Sequence, residues 1–389
     1  MKMRNQFLPK LKENIDMYRN FFFFLLVLTC GACSSCQSQK NTGMVDLNNY
    51  MYYLQLEQMK SLSVEEALKK PTKAKKVRLQ QGDLNKDLSS LQNIEYIGLK
   101  NGVTHLPKSI TTLKNLKVLD LSSNQFAYLP DDIGKLQNLV VLHITHTKIK
   151  NFPNSIGKLD KLKVLSLNTL NQLPKNLTKM KSLQRIYLNE PGKLDLKVFF
   201  KALAELPKLK RINAVDVRDF PNELIELKTL QEVFIPYSKH LHPNVFKQLA
   251  KQKNLRHLII NFANVDSLPE SFIGLDKLEI LDLRGHSFSD LSNPLRVISK
   301  FKNLRILHLA GGTFTKMPPE IGLLTNLEEL YIWNKANNLK TYPKEVGNLK
   351  KLKKIVGTNS LTKEAKEQLK KWLPNTQFPQ EYESYSYDY

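Results

Sequence analysis

The chain has 389 residues, 41% hydrophobic and 24% charged, with 15 glycines and 18 prolines, a globular composition that fits either two compact domains or one elongated array. Its formal net charge of +23 favours acidic partners: nucleic acid, anionic lipid, acidic polysaccharide or an acidic protein. The three cysteines are Cys30, Cys33 and Cys36, and none follows, which excludes a disulfide framework or a cysteine metal site from the body of the protein.

Residues 1–20 are polar and mildly basic, and the apolar run Phe21-Phe22-Phe23-Phe24-Leu25-Leu26-Val27-Leu28 leads into Cys30-Gly31-Ala32-Cys33. Basic, apolar, then small is the layout of a secretory signal, and the run is too short to span a bilayer comfortably. Gly31-Ala32-Cys33 resembles the lipobox of bacterial lipoproteins, whose cysteine becomes the lipidated first mature residue. That resemblance implies lipidation at Cys33. Cys30 stands where the motif usually has Leu, so Cys30 and Cys36 are rival sites, and the long leading segment also allows a start at Met17. Residues 1–32 are therefore expected to be a lipoprotein-type signal peptide and 33–60 a polar, Gln/Asn-rich tether. The protein is expected to be exported and lipid-anchored to a bacterial membrane, the outer membrane by preference. A cleaved signal without lipid and an uncleaved anchor are the alternatives.

Ser63-Val64-Glu65-Glu66 has the spacing of a capping box ahead of a short helix that Pro71 closes, giving an N-terminal capping helix over 61–73. From residue 94 one phrase recurs. Leu116-x-x-Leu119-x-Leu121 is followed by Leu129-Pro130-x-x-Ile133-Gly134-x-Leu136, and the opening position returns at Ile94, Leu116, Leu139, Leu162, Leu183, Leu209, Leu230, Leu255, Leu278, Leu304, Leu327 and Leu352. The period is about 23.5 residues, and Ala74-x-x-Val77-x-Leu79 reads as a degenerate first copy. In Leu-x-Leu the alternate residues of a short strand enter a core while their neighbours face outward. One copy cannot bury its own apolar edge, so copies must stack.

These repeats resemble bacterial leucine-rich-repeat proteins of the Leu-Pro-x-x-Ile-Gly-x-Leu type. The resemblance implies an α/β solenoid over 74–373: a leucine-rich-repeat horseshoe with a parallel concave sheet, a convex side of mixed turns and short helices, and a C-terminal capping helix. It implies a binding scaffold and leaves the ligand open. Two departures stand out. The family's Asn at the ninth repeat position survives as Asn124, while Thr147, Leu170, Ala263 and His286 replace it elsewhere, so hydroxyls and backbone must complete that hydrogen-bond ladder. The repeats opening at Leu183, Leu230 and Leu278 are longer and lack Leu-Pro. Their outer segments read as helices, with Val198, Phe199, Ala202, Leu203 and Leu206 on one face, Val245, Phe246 and Leu249 on another, and Asn293-Pro294 as cap and first turn of the third.

Leu361–Leu373 reads as an amphipathic helix bearing Leu361, Ala365, Leu369 and Trp372, stopped by Pro374, that closes the open end of the core. Residues 374–389 form a polar, Tyr-rich tail expected to be disordered.

The sequence holds no phosphate-cradling glycine loop, zinc-site cysteine pairing or nucleophile elbow, so neither an enzyme nor a cofactor or metal is expected. His143-x-x-His146 has no evident third ligand. Lys114, Lys161, Lys181, Lys208, Lys228, Lys253, Lys277, Lys302 and Lys350-Lys351 fall one or two places before an opening Leu. Stacking lines them up along one edge, where an acidic envelope glycan or lipid, rather than nucleic acid, is the functional reading and a solvated edge the bland one.

The outward-facing strand column runs Gly98, Asp120, His143, Ser166, Tyr187, Asn213, Phe234, Ile259, Asp282, His308 and Tyr331. It turns apolar and aromatic from Tyr187 to Ile259. Tyr237 and Phe262 thicken that patch from the next column, and Tyr331 with Trp333 makes a second. Exposed aromatics on a rigid concave surface resemble binding hot spots. Tyr187, Phe234, Tyr237, Ile259, Phe262, His308, Tyr331 and Trp333 are therefore the candidate ligand-binding residues, for a protein or peptide. By the same register Leu258 is core and His257 faces out.

Overall fold

The structure is a computed structural model that describes residues 55–379, apart from 57, 101, 168–172, 190–193, 216, 239–240, 264, 333–338 and 360. The chain divides into residues 1–62 and 63–389. In the first unit Met59 donates to the Gln55 carbonyl in a helical turn. The signal peptide, Cys33 and the terminal tyrosines lie outside the described residues, and so does Trp333.

The second unit opens on α1 (Val64–Lys69). Ser63 Oγ accepts from the Glu66 amide at 3.2 Å and Glu66 Oε2 accepts from the Ser63 amide at 2.8 Å, which completes the expected capping box. Thirteen strands follow: β1 (Lys76–Leu79), β2 (Tyr96–Leu99), β3 (Val118–Asp120), β4 (Val141–His143), β5 (Val164–Leu167), β6 (Arg185–Asn189), β7 (Arg211–Val215), β8 (Glu232–Pro236), β9 (His257–Asn261), β10 (Ile280–Asp282), β11 (Ile306–His308), β12 (Glu329–Tyr331) and β13 (Lys354–Val356). They form one sheet in chain order, each pair parallel and in the register of the repeat. Ala74, Val77 and Leu79 are buried like the Leu triplets that follow, so the degenerate first copy is a full member of the stack.

Behind the sheet, the Leu-Pro repeats turn through short 3-10 segments such as Asn154–Lys158, whose Ile156 and Gly157 are buried. A Cβ on Gly157 would lie 2.6 Å from the Asn176 Cβ of the next copy, so the glycine of Ile-Gly exists to let neighbouring turns touch. The three long repeats carry α2 (Leu196–Ala204), α3 (Asn244–Leu249) and α4 (Ser292–Ile298) instead, as their spacing requires. Two details differ from expectation. Val198 is 51% exposed and Phe200 is buried in its stead, because the Asp195 cap sets the helix so that its second turn faces the core. Asn293 does not cap α4. Its Oδ1 accepts from the Leu268 amide at 3.1 Å, tying α4 to the preceding copy.

The incomplete Asn ladder is patched by different chemistry. Asn124 Oδ1 accepts from the Val103 amide at 3.0 Å, and Thr147 Oγ1 donates to the Ile144 carbonyl at 2.9 Å. His286 Nε2 pairs with the Ile260 carbonyl at 2.6 Å while its Nδ1 accepts from the Val265 amide at 3.1 Å, which fixes a neutral tautomer. A second ladder was not foreseen. Asn115, Asn138, Asn254 and Asn326, each just before an opening Leu, donate to a carbonyl of the preceding copy at 2.8–2.9 Å. At three places where Lys holds that position its ammonium donates to the side-chain carbonyl of the preceding copy's Asn: Lys161 to Asn138, Lys277 to Asn254 and Lys351 to Asn326 at 2.6–2.7 Å. Part of the lysine edge is thus an inter-repeat bond.

At the far end α5 (Lys363–Trp372) starts at Thr362, whose Oγ1 accepts from the Ala365 amide, and buries Leu369. The segment after Pro374 is more ordered than a tail: Ile355 donates to the Gln377 carbonyl and Gln377 to the Lys353 carbonyl, covering the β13 edge that an open sheet leaves exposed.

Candidate ligand-binding face

Successive strands place equivalent residues about 4.8 Å apart, so the outer face of the sheet consists of side-chain columns. From β6 to β9 the first column is Arg185, Arg211, Glu232, His257 and the second Tyr187, Asn213, Phe234, Ile259. A third holds Asn189 beside Val215 and Pro236 beside Asn261.

The register puts Tyr187, Phe234, Ile259, His308 and Tyr331 on this face, and Tyr237 and Phe262 follow directly after the ends of β8 and β9. Exposure is a different matter. Tyr187 and Phe234 are 1% exposed, Ile259 3% and His257 6%, so these four are buried where the sequence reading left them open. Neighbouring side chains contribute to this: the Arg211 guanidinium, from the adjacent column, lies over the Phe234 ring at 4.5 Å, and the Tyr187 ring meets the edge of His143, in its own column, at 6.4 Å. Tyr237, Phe262, His308 and Tyr331 are half-buried. Tyr237 and Phe262 stack at 5.1 Å and 6°, and both have positive φ, 59° and 54°, a backbone state uncommon for bulky residues and frequent at functional sites. The next copy has Gly285 there, at φ 75°. A Cβ on it would strike the Phe262 ring. His308 and Tyr331 form a second stack, at 4.1 Å and 3°, with the Tyr331 hydroxyl donating to Glu329 at 2.7 Å.

Of the first column only His257 was read as facing out; Arg185, Arg211 and Glu232 were missed, although the same register argument would have found them. Glu232 accepts from Arg211 and faces His257 at 3.7 Å. Burial works against ionisation of Glu232, yet Arg211, with His257 and Arg185 beside it, holds the carboxyl down at about 2. Burial also pushes His257 and His143 below the usual imidazole range, and His308 down to about 4. Asp282 is clasped by the Arg284 guanidinium and, despite its burial, titrates below the usual carboxylate range.

His143 Nδ1 pairs with Ser166 Oγ at 2.6 Å, and His146 sits in the left-handed turn after β4. The lysines of the edge stripe are exposed. Lys181 and Lys253 donate to main-chain carbonyls, of Glu205 and Gly274.

The chain is similar to a leucine-rich-repeat protein of Leptospira interrogans, at 23% identity and a TM-score of 0.45, covering 82% of this chain and all of that one. It is also similar to an internalin of Listeria monocytogenes, at 17% identity and a TM-score of 0.50, covering 76% of this chain and 83% of that one. At 17% identity the likeness to the internalin speaks to fold alone. Among curated proteins nothing matches. The family model described as "Leucine-rich repeat region" matches residues 122–232 and 223–381, more than half of the chain, and with thirteen in-register parallel strands the chain belongs to the leucine-rich-repeat family.

Proposed function

We propose that this protein is a non-catalytic binding scaffold of a bacterial cell envelope, exported, lipidated at Cys33 and anchored at the outer membrane, that holds a protein or peptide on the concave face of its sheet. Leucine-rich-repeat arrays commonly serve as binding scaffolds, because stacking creates an extended concave surface. The observation that carries the reading is the content of that surface from β6 to β12. Arg211–Glu232 and the His308–Tyr331 stack stand in strand columns opposite the apolar core, where core packing demands none of them, and the Tyr237–Phe262 stack follows at the ends of β8 and β9. Buried ion pairs contribute little net stability, so recognition accounts for them better than folding does. The competing reading, an acidic glycan or lipid held by the lysine edge, is weakened by the engagement of Lys161, Lys277 and Lys351 with asparagine carbonyls.

The test has two arms. With a ligand captured from envelope extracts by the mature chain, Phe234→Ala is expected to weaken binding by at least about 1–2 kcal/mol and Ser166→Ala to leave it unchanged. Unchanged affinity for Phe234→Ala, Phe262→Ala and Trp333→Ala together, with steep salt dependence, moves the site to the lysine edge. For the anchor, Cys33→Ser is expected to abolish fatty-acid labelling and release the protein to the soluble fraction. Retained label moves the site to Cys30 or Cys36, and an unlabelled wild type rules out the anchor.

A further inference from the structure

Five polar atoms on the outer face between β6 and β9 are closed to water and have no hydrogen-bond partner: Asn189 Oδ1, Asn213 Oδ1, His257 Nε2 and both amide atoms of Asn261. Their residues are 5%, 5%, 6% and 1% exposed. Such orphans are rare in native proteins and costly, since the buried group loses water and gains nothing. Behind the sheet the buried Asn124, Gln252 and His286 reach main-chain partners, while Gln248 on α3 keeps an orphaned Oε1.

We propose that this stretch recognises an extended peptide main chain crossing from β6 to β9, with Asn189, Asn213 and Asn261 pairing with its amides; the proposal rests on the sheet-face reading above and specifies what is read there. The kinds of atom exclude a purely anionic ligand. Three of the five are carboxamide oxygens, which accept only, so a phosphate or carboxylate would leave them unmet. Asn261 offers a donor and an acceptor together, the complement of a peptide unit. The spacing also fits. Asn189 and Asn261 share a column three strands apart, about 14 Å, which an extended chain at ~3.4 Å per residue covers in about four residues. A sugar fits less well, because the Phe234 ring carries the Arg211 guanidinium at 4.5 Å and the Phe262 ring lies between Tyr237 and Gly285, which leaves neither for stacking. Exclusion of water strengthens each bond formed.

The test uses the full chain and a phage-displayed library of random dodecapeptides. Peptides retained by the wild type are expected to lose about tenfold in affinity for Asn261→Leu and for Asn213→Leu, one hydrogen bond being worth about that factor. Methylating the matching peptide nitrogen should cost as much against the wild type and little against the matching variant. Without ligand, Asn261→Leu is expected to melt at the wild-type temperature or about 2 °C above it, since an apolar isostere replaces an orphaned amide. A melting temperature lowered by several degrees means that the amide is partnered in the free protein and overturns the proposal. Peptides that ignore both Asn variants but lose affinity with Phe234→Ala overturn amide recognition alone, and peptides that ignore all three overturn the sheet-face reading as well. No retained peptide, or a glycan ligand sensitive to Asn261→Leu, also overturns it.

Discussion

Arg211→Ala is expected to cost about 3–5 kcal/mol of folding stability at neutral pH, among the largest effects any single substitution should have. Arg211 and Glu232 are 2% and 4% exposed, and Arg211 is the leading counter-charge of a carboxylate that burial alone would push up. Removing the guanidinium leaves that carboxylate desolvated with its main partner gone. Replacing both, Arg211→Met with Glu232→Leu, should recover most of the loss, since a well-packed apolar pair avoids the desolvation cost. Urea denaturation at several pH values provides the measurement. In the wild type Glu232 titrates lower folded, at about 2, than its ordinary 4.5, so its contribution is complete above about 4.5 and lost as pH falls toward 2. The buried histidines act earlier. His308 at about 4, and His257 and His286, lie below the ordinary 6.5, so their contribution is present above 6.5 and lost as the unfolded chain takes up protons below it. In Arg211→Ala the order changes: Glu232 titrates higher, and mild acid relieves part of the defect. A loss below about 1 kcal/mol, or a double variant as unstable as the single, would contradict this account of the column.

Leu258→Ala is expected to cost about 2–5 kcal/mol. Leu258 is fully buried as the second residue of β9, in register with Val233 and Leu281 of the neighbouring copies. Val198→Ala, at a side chain 51% exposed on α2, should cost less than about 0.5 kcal/mol. Equal effects would mean that the strands face the other way. His257→Ala cannot serve as the silent control that its outward register suggests, because His257 packs against Glu232.

The parts of this structure that repeat were legible in the sequence, and the parts that depend on neighbours across the repeats were not. A period of about 23.5 residues locates every strand and even the degenerate Val77 copy, because burial of an alternating apolar triplet leaves one register. The three long copies announce their helices by apolar spacing. Which side Val198 takes depends on how Asp195 sets the first turn, which spacing does not specify. The binding face was half legible. Register alone places Tyr187, Phe234 and Ile259 outward, but their burial depends on side chains one strand away, such as the Arg211 guanidinium over Phe234. Lys161, Lys277 and Lys351 read as a charged stripe until their Asn partners in the preceding copy are seen.

Binding on the concave sheet is tested most directly by photocrosslinking from single sites in the full-length protein. A benzoylphenylalanine in place of Tyr237, half-buried directly after β8, or of Tyr331, half-buried on the sheet face, should yield an adduct with one and the same partner. The same group in place of Val198 or Leu323, exposed on the opposite side, should yield none. Adducts to that partner from Val198, Leu323 or the edge residue Lys114, with none from Tyr237 and Tyr331, would place the ligand elsewhere and contradict the account.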